Sequence, residues 1–197
     1  AEGDYNKTND PDYTGGKGIL NKPAFRQSIR SRRCLVIADA FIEGPEKEKL
    51  NKPFLVFLRN KQRPFAFAGI YEDFVDQSTG ETWVTYSIVT TTANALLQTI
   101  KHPRSPVILS RRFERTWLNQ KAPLTDITHL LEPYDPEEMN AYPIGAEIKD
   151  PRLNHPELIT PCGDRLFKET TMEAKKETKL FGMGHSPARE RRNSGST

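Results

Sequence analysis

The chain has 197 residues, 36% hydrophobic and 28% charged, with a formal net charge of +3, an ordinary balance for a globular protein. It contains no run of the roughly 18 apolar residues a membrane helix needs, and a charge of +3 is too small to argue nucleic-acid binding from composition. Two cysteines, Cys34 and Cys162, lie far apart, with no CxxC or Cys/His ligand spacing. They exclude a disulfide framework and give no sign of a metal site, so no metal and no cofactor are expected and the default compartment is the reduced cytoplasm.

The chain opens on a polar stretch without an initiator Met and without the apolar core of a signal peptide. The expectation is therefore that it begins at an internal point of a longer protein. Residues 1–22 read as loop. Thr14-Gly15-Gly16-Lys17-Gly18 lacks the spacing of a phosphate-binding loop, and Asn6-Lys7-Thr8 carries no weight as a glycosylation sequon without a secretory signal. Pro23 to Arg33 reads as a short helix, with Pro23 at its first position and Ala24, Phe25, Ser28 and Ile29 on one face. Cys34-Leu35-Val36-Ile37-Ala38 is an apolar run too short for a helix, which predicts a strand buried on both faces. Phe54–Leu58, Phe65–Tyr71 and Trp83–Thr91 are rich in β-branched and aromatic residues and predict three more strands. Asp76-Gln77-Ser78-Thr79-Gly80 is a turn between the last two, so they form a hairpin.

Ala93–Lys101 predicts a helix and Pro106–Leu109 a short strand. Ser110 caps a helix through Leu118, with Phe113 and Trp117 four residues apart on its buried side. Thr125–Leu131 and Pro136–Ala141 read as short helices and Ile144–Ile148 as a last strand. From Phe167 the composition turns to mixed charge, ending in a polar tail. Two regions are thus expected, a domain over 1–166 and a charged tail over 167–197. Strands outnumber helices without a regular βαβ rhythm, which argues an α+β fold with a mostly antiparallel sheet or barrel and short flanking helices.

Three constellations carry candidate chemistry. Glu43 follows a short apolar segment, where partial desolvation raises a carboxyl pKa and suits acid–base work; the competing reading is a surface acid entering a loop. His102 sits in a loop pinned by Pro103 and Pro106, beside Arg104, and can move protons near an anionic substrate. His129 falls in an apolar helix and reads as packed. Arg26, Arg30, Arg32, Arg33 and Arg104 can line a phosphate track, or stand as solvated faces. Cys34 opens an apolar strand and reads as a small hydrophobe rather than a nucleophile.

Taken together, these segments resemble the SRAP family (SOS-response-associated peptidase). The resemblance rests on Lys22-Pro23-Ala24-Phe25-Arg26, Arg32-Arg33-Cys34-Leu35, Ala38-Asp39-Ala40-Phe41-Ile42-Glu43, Arg63-Pro64-Phe65-Ala66-Phe67-Ala68-Gly69, Val89-Thr90-Thr91-Thr92-Ala93-Asn94, and His102-Pro103-Arg104-Ser105-Pro106-Val107-Ile108-Leu109. Order and approximate spacing hold from Lys22 to Pro161. The resemblance implies abasic-site processing: binding of single-stranded DNA in a basic groove, and covalent capture of an abasic site by an N-terminal cysteine as a thiazolidine, with self-processing peptidase and lyase activity. It implies Glu43 and His102 as acid–base groups, Thr90 as a pocket residue, and Arg104 and Arg33 as DNA contacts. The expected partner is single-stranded DNA with abasic sites, with no membrane, and the protein is expected to be a monomer. The family's Met-Cys-Gly-Arg start is absent, Gly44 stands where the family usually has Trp, and Ser105 replaces a common Met. These departures leave a second reading open, a non-catalytic single-stranded DNA-binding module of the same fold. A third is an unrelated hydrolase working through Glu43, His102 and Cys34.

Overall fold

A computed structural model of the chain describes residues 17–59 and 63–168. The described residues up to Arg165 belong to one compact unit, and of a second unit only 166–168 are described. The glycine-rich stretch before Lys17, the sequon and the charged tail expected from 167 therefore lie wholly or almost wholly outside the described residues.

The fold is α+β, and every strand pairing among the described residues is antiparallel. Its elements are α1 (Lys17–Asn21), α2 (Ser28–Ser31), β1 (Arg33–Ala38), β2 (Phe41–Glu43), β3 (Phe54–Leu58), β4 (Phe65–Val75), β5 (Thr82–Ile88), β6 (Thr90–Thr92), α3 (Ala95–Thr99), β7 (Arg104–Pro106), β8 (Ile108–Leu109), α4 (Arg111–Leu118), α5 (Leu124–His129) and β9 (Met139–Pro143). Short 3-10 turns complete the chain. One sheet runs β1-β4-β5 with β8 also on β4, a second runs β2-β3-β9, and β6 pairs with β7.

β4 is the spine. Its first six residues, Phe65–Ile70, are all buried, with β1 pairing along all of them and β8 opposite Ala66 and Phe67. Ala68 and Ile70 enter a core with Ile29, Val89, Val107, Leu109, Trp117, Ile127 and Leu131. Trp117 is fully buried, and its indole N–H donates to the Cys34 carbonyl at 2.9 Å. Burying this ring contributes about 3–5 kcal/mol, judged from truncations of core aromatics. The spacing of Phe113 and Trp117 predicts this inward face, though only Trp117 is completely enclosed.

Several expectations are corrected. Lys17–Asn21 is helical rather than loop. The helix expected over Pro23–Arg33 is a series of turns in which only Ser28–Ser31 is α-helical, and Arg33 belongs to β1. β1 is half-buried, not enclosed on both faces, and Ile37 is 59% exposed. Met139–Pro143 is the last strand of the described residues, because it pairs antiparallel along the whole of β3. Ile144–Ile148, expected to be that strand, instead holds an isolated bridge at Ile144 and a 3-10 turn over Ala146–Lys149. His129 is exposed at the last turn of α5, since Ile127 rather than His129 faces inward.

Candidate functional site

Phe41 packs edge-on against Phe67, with ring centroids 5.6 Å apart, and this anchors β2. Glu43 ends that strand opposite Phe54. The chain then turns sharply at Gly44: a Cβ there would lie 1.9 Å from the Lys49 carbonyl oxygen, so no side chain fits. Trp at this position is incompatible with the loop drawn so tightly.

His102 is delivered by the end of α3. Asn94 caps the helix start by accepting from the Leu97 amide at 3.1 Å. At the other end Lys101 adopts φ 63°, its amide donating to Gln98 O and that of His102 to Leu97 O, each at 2.9 Å. This pair of bonds around a left-handed residue is a Schellman motif. It fixes the backbone at which the imidazole projects, and the Glu46 amide donates to Lys101 O at 3.1 Å, tying the two loops together.

The side chains meet there. His102 Nε2 lies 3.4 Å from Glu43 Oε2, and both groups are partly buried. On the other side of the ring, His102 Nδ1 is 2.9 Å from Gly44 O. A carbonyl has no proton to give, so Nδ1 carries the hydrogen and donates it. Nε2 is left to exchange a proton with the carboxyl. Burial pushes the Glu43 carboxyl above its ordinary value, and the nearby His102 opposes that shift. A carboxyl that holds its proton more tightly than usual, next to an oriented imidazole, is suited to donate and accept protons.

Thr90 and Arg104 lie in the neighbouring ribbon, where Thr90 faces Pro106 and Thr92 faces Arg104. Antiparallel pairing puts Thr90, Thr92 and Arg104 on one side of it. The other side, with Thr91 and Ser105, is buried. Arg104, on this more open face, stands two residues beyond His102 in the sequence.

Arg33 is placed elsewhere. It is 3% exposed, and its guanidinium donates to four backbone carbonyls: Trp117 at 2.6 Å, Ile29 at 2.7 Å, Arg30 at 2.8 Å and Asn119 at 2.5 Å. It cannot serve as a DNA contact, because it is spent on joining α2 to the end of α4. Cys34 faces Gly69, where an added Cβ would come within 2.8 Å of its sulfur. Burial raises its thiol pKa, away from the thiolate a nucleophile needs. Among the described residues no group of three or more His, Cys, Asp or Glu side chains is arranged to hold a metal, and no helix is long and apolar enough to cross a membrane. Sequence reasoning missed the framing roles of Gly44 and Lys101. Gly44 next to Pro45 was a readable turn signal, whereas nothing marks a lysine for a left-handed conformation.

Comparison with known proteins bears on the family and the fold. The family model described as SOS response associated peptidase (SRAP) matches residues 16–151. The abasic site processing proteins YoqW and YoaM of Bacillus subtilis are 39% and 38% identical over 143 residues, 72% of this chain and 62% of theirs. A crystal structure of a Bacteroides thetaiotaomicron protein superposes with a TM-score of 0.68 at 32% identity, covering 75% of this chain and 64% of that one. A Bordetella bronchiseptica structure, with a TM-score of 0.56 at 23% identity, shows the shared fold alone. The chain spans less than two-thirds of the length of these relatives. With the family model covering most of the chain and the first relatives near 39% identity, the chain belongs to the SRAP family.

Proposed function

We propose that this chain carries the acid–base half of an abasic-site processing protein that binds single-stranded DNA and captures the lesion through an N-terminal cysteine lying outside these residues. The observation that carries the reading is the Glu43–His102 pair: a carboxyl with a raised pKa, 3.4 Å from an imidazole nitrogen whose partner nitrogen is committed to Gly44 O. The abasic sugar exists in part as a ring-opened aldehyde. The cysteine's α-amine adds to that carbonyl and water leaves, forming a Schiff base. The thiol then adds across the C=N bond, with its proton passing to nitrogen, and a thiazolidine closes. Amine and thiol sit on one residue, so ring closure is effectively unimolecular. Glu43 supplies the proton that releases water and accepts one on the return path, His102 relays protons with it, and Thr90 and Arg104 hold the sugar and a phosphate. The same proton-transfer pair serves hydrolysis of the peptide bond before the cysteine, and lyase chemistry at the lesion.

The test is to sequence the mature N-terminus of the gene's full product and incubate that product with single-stranded DNA containing one abasic site. A leading cysteine and a crosslink that survives denaturation are expected, while the 197-residue chain alone forms none. A crosslink formed by the 197-residue chain, or a mature product led by another residue, sinks the aminothiol mechanism.

A further inference from the structure

Two separate parts of the chain have to meet for Glu43 to face His102. Glu43 ends β2, in the sheet β2-β3-β9. His102 follows α3, a helix outside that sheet. Asn94 joins the two. It is 6% exposed and accepts from the Leu97 amide at 3.1 Å. A backbone N–H can only donate, so the carboxamide oxygen of Asn94 faces Leu97 and its nitrogen faces the other way. That nitrogen donates to Tyr134 O at 2.9 Å and to Met139 Sδ at 3.1 Å. Met139 opens β9 opposite Leu58 of β3, and β3 pairs in turn with β2 as far as Glu43. On the helix side Leu97 passes the contact on: its amide meets Asn94, and its carbonyl accepts from the His102 amide at 2.9 Å. A continuous path of backbone pairing and hydrogen bonds therefore runs from Glu43 through β3, β9, Asn94 and Leu97 to His102.

We propose that Asn94 is a positioning residue for the Glu43–His102 pair, registering the helix that delivers the histidine against the sheet that carries the carboxyl. The proposal rests on the proton-transfer role given to that pair. Leu96 and Leu97 are fully buried and hold α3 against the core, but apolar burial is non-directional and sets neither the slide nor the rotation of a helix. Gln98 and Thr99 also bond through their side chains, but back onto Ala93 O and Ala95 O within their own segment. Asn94 commits both its donor hydrogens to Tyr134 and Met139, so it acts on the pair through the frame and not by touching a substrate. The tolerance is small. His102 Nδ1 must keep Gly44 O at 2.9 Å while Nε2 stays 3.4 Å from Glu43. A slip of about 1 Å in α3 breaks the first contact, and misplacement on that scale can cost about 10²-fold in rate. With Gly44 O lost as partner, nothing holds the hydrogen on Nδ1 and the tautomer is no longer fixed.

Asn94→Ser separates positioning from capping. Serine ranks with asparagine as a helix cap, so the Leu97 bond is kept, but one short hydroxyl cannot also reach Tyr134 O and Met139 Sδ. In the gene's full product, Asn94→Ser is expected to slow crosslinking at saturating abasic single-stranded DNA by about tenfold or more, with DNA affinity unchanged. Nitrogen NMR of the His102 ring, assigned with His102→Gln, is expected to lose the single tautomer with its hydrogen on Nδ1. Met139→Leu conserves volume and removes only the sulfur acceptor, and it should move both readouts the same way by a smaller factor. A folded Asn94→Ser protein with the parent's rate and the parent's His102 spectrum overturns the proposal. So does a slower rate with an unchanged spectrum, or one explained by weaker DNA binding, because each places the effect away from the imidazole. If Asn94→Ser does not fold, Met139→Leu decides by the same two readouts, and an unchanged spectrum there overturns the proposal. The imidazole readout needs no DNA: a parent protein that forms no crosslink removes the aminothiol mechanism, while the His102 spectrum still decides whether Asn94 positions the ring.

Discussion

Two histidine–carboxylate pairs stand among the described residues, and they behave oppositely. Glu43 and His102, joined across 59 positions of sequence, are both partly buried, and the carboxyl pKa is pushed up, chiefly by desolvation. His155 and Glu157, two residues apart, lie 3.0 Å from each other and are far more exposed. There the carboxyl pKa falls, first through a backbone hydrogen bond and then through the histidine. The difference teaches that an imidazole beside a carboxylate does not by itself prepare acid–base chemistry. Water decides: exposure leaves the carboxylate charge solvated, while burial favours the protonated carboxyl.

Paired substitutions break or sustain this contrast, and the largest effect is on activity. In the full product, Glu43→Gln is expected to slow crosslinking to abasic single-stranded DNA, or its reversal, by about 10²–10⁴-fold, the range of one general acid–base group, with DNA binding near normal. Glu157→Gln leaves both rates unchanged. Quenched gel assays of the crosslink read the two variants side by side. Unchanged rates for Glu43→Gln would reduce it to a structural residue.

A third charge sharpens the comparison from the stability side. Arg33 is more deeply buried than Glu43 and donates to four carbonyls, so little of its hydrogen-bonding capacity is left for a ligand. Arg33→Met orphans those carbonyls, and urea denaturation should show a loss of about 3–4 kcal/mol. Arg33→Lys should recover little, because one ammonium cannot span what a planar fork reaches. A stable Arg33→Met variant with weakened DNA binding would reverse this assignment.

These three sites also show what could be read from the sequence. Strands β3 and β4, the hairpin that follows, α3 and α4 declare themselves through local composition, and so does Trp117 through its spacing from Phe113. Glu43 was legible as a candidate because it follows an apolar segment, and His102 because it sits in a Pro-pinned loop beside Arg104. Their meeting was not, since it depends on Lys101 turning left-handed and Gly44 passing under Lys49. Arg33 misled for a related reason: an arginine among arginines reads as surface, and only the long-range approach of Trp117 and Asn119 buries it. Met139–Pro143 was missed because strand pairing with β3, rather than its own residues, makes it a strand.

The two pairs should also separate in pH. Glu43 has a folded pKa above its ordinary 4.5, so its contribution to stability is present below 4.5 and is lost as pH rises through the raised value. Glu157 has a folded pKa below 4.5, so its contribution is present above 4.5 and is lost as pH falls through the lowered value. Denaturation midpoints of the parent and the two glutamine variants, measured across pH, isolate each slope. At neutral pH, Glu43→Gln should be at least as stable as the parent, the pattern of a group kept for chemistry at some expense to the fold. Molar salt should erase the Glu157 slope and spare that of Glu43, because screening reaches exposed charge first.

The smallest expected effect tests the frame rather than the charges. Lys101 occupies φ 63°, a conformation that costs a residue with a Cβ but not glycine. Its amide bonds to Gln98 O, and that of His102 bonds to Leu97 O; both bonds use backbone alone and survive substitution. Lys101→Gly should therefore stabilise the chain by about 0.5–1 kcal/mol, with the pH dependence and rate of crosslinking unchanged. A loss of stability would mean that the lysine side chain contributes more than its backbone strain costs. A changed pH profile with stability intact would mean that Lys101 acts on the proton shared by Glu43 and His102, and the acid–base unit would then include a third group.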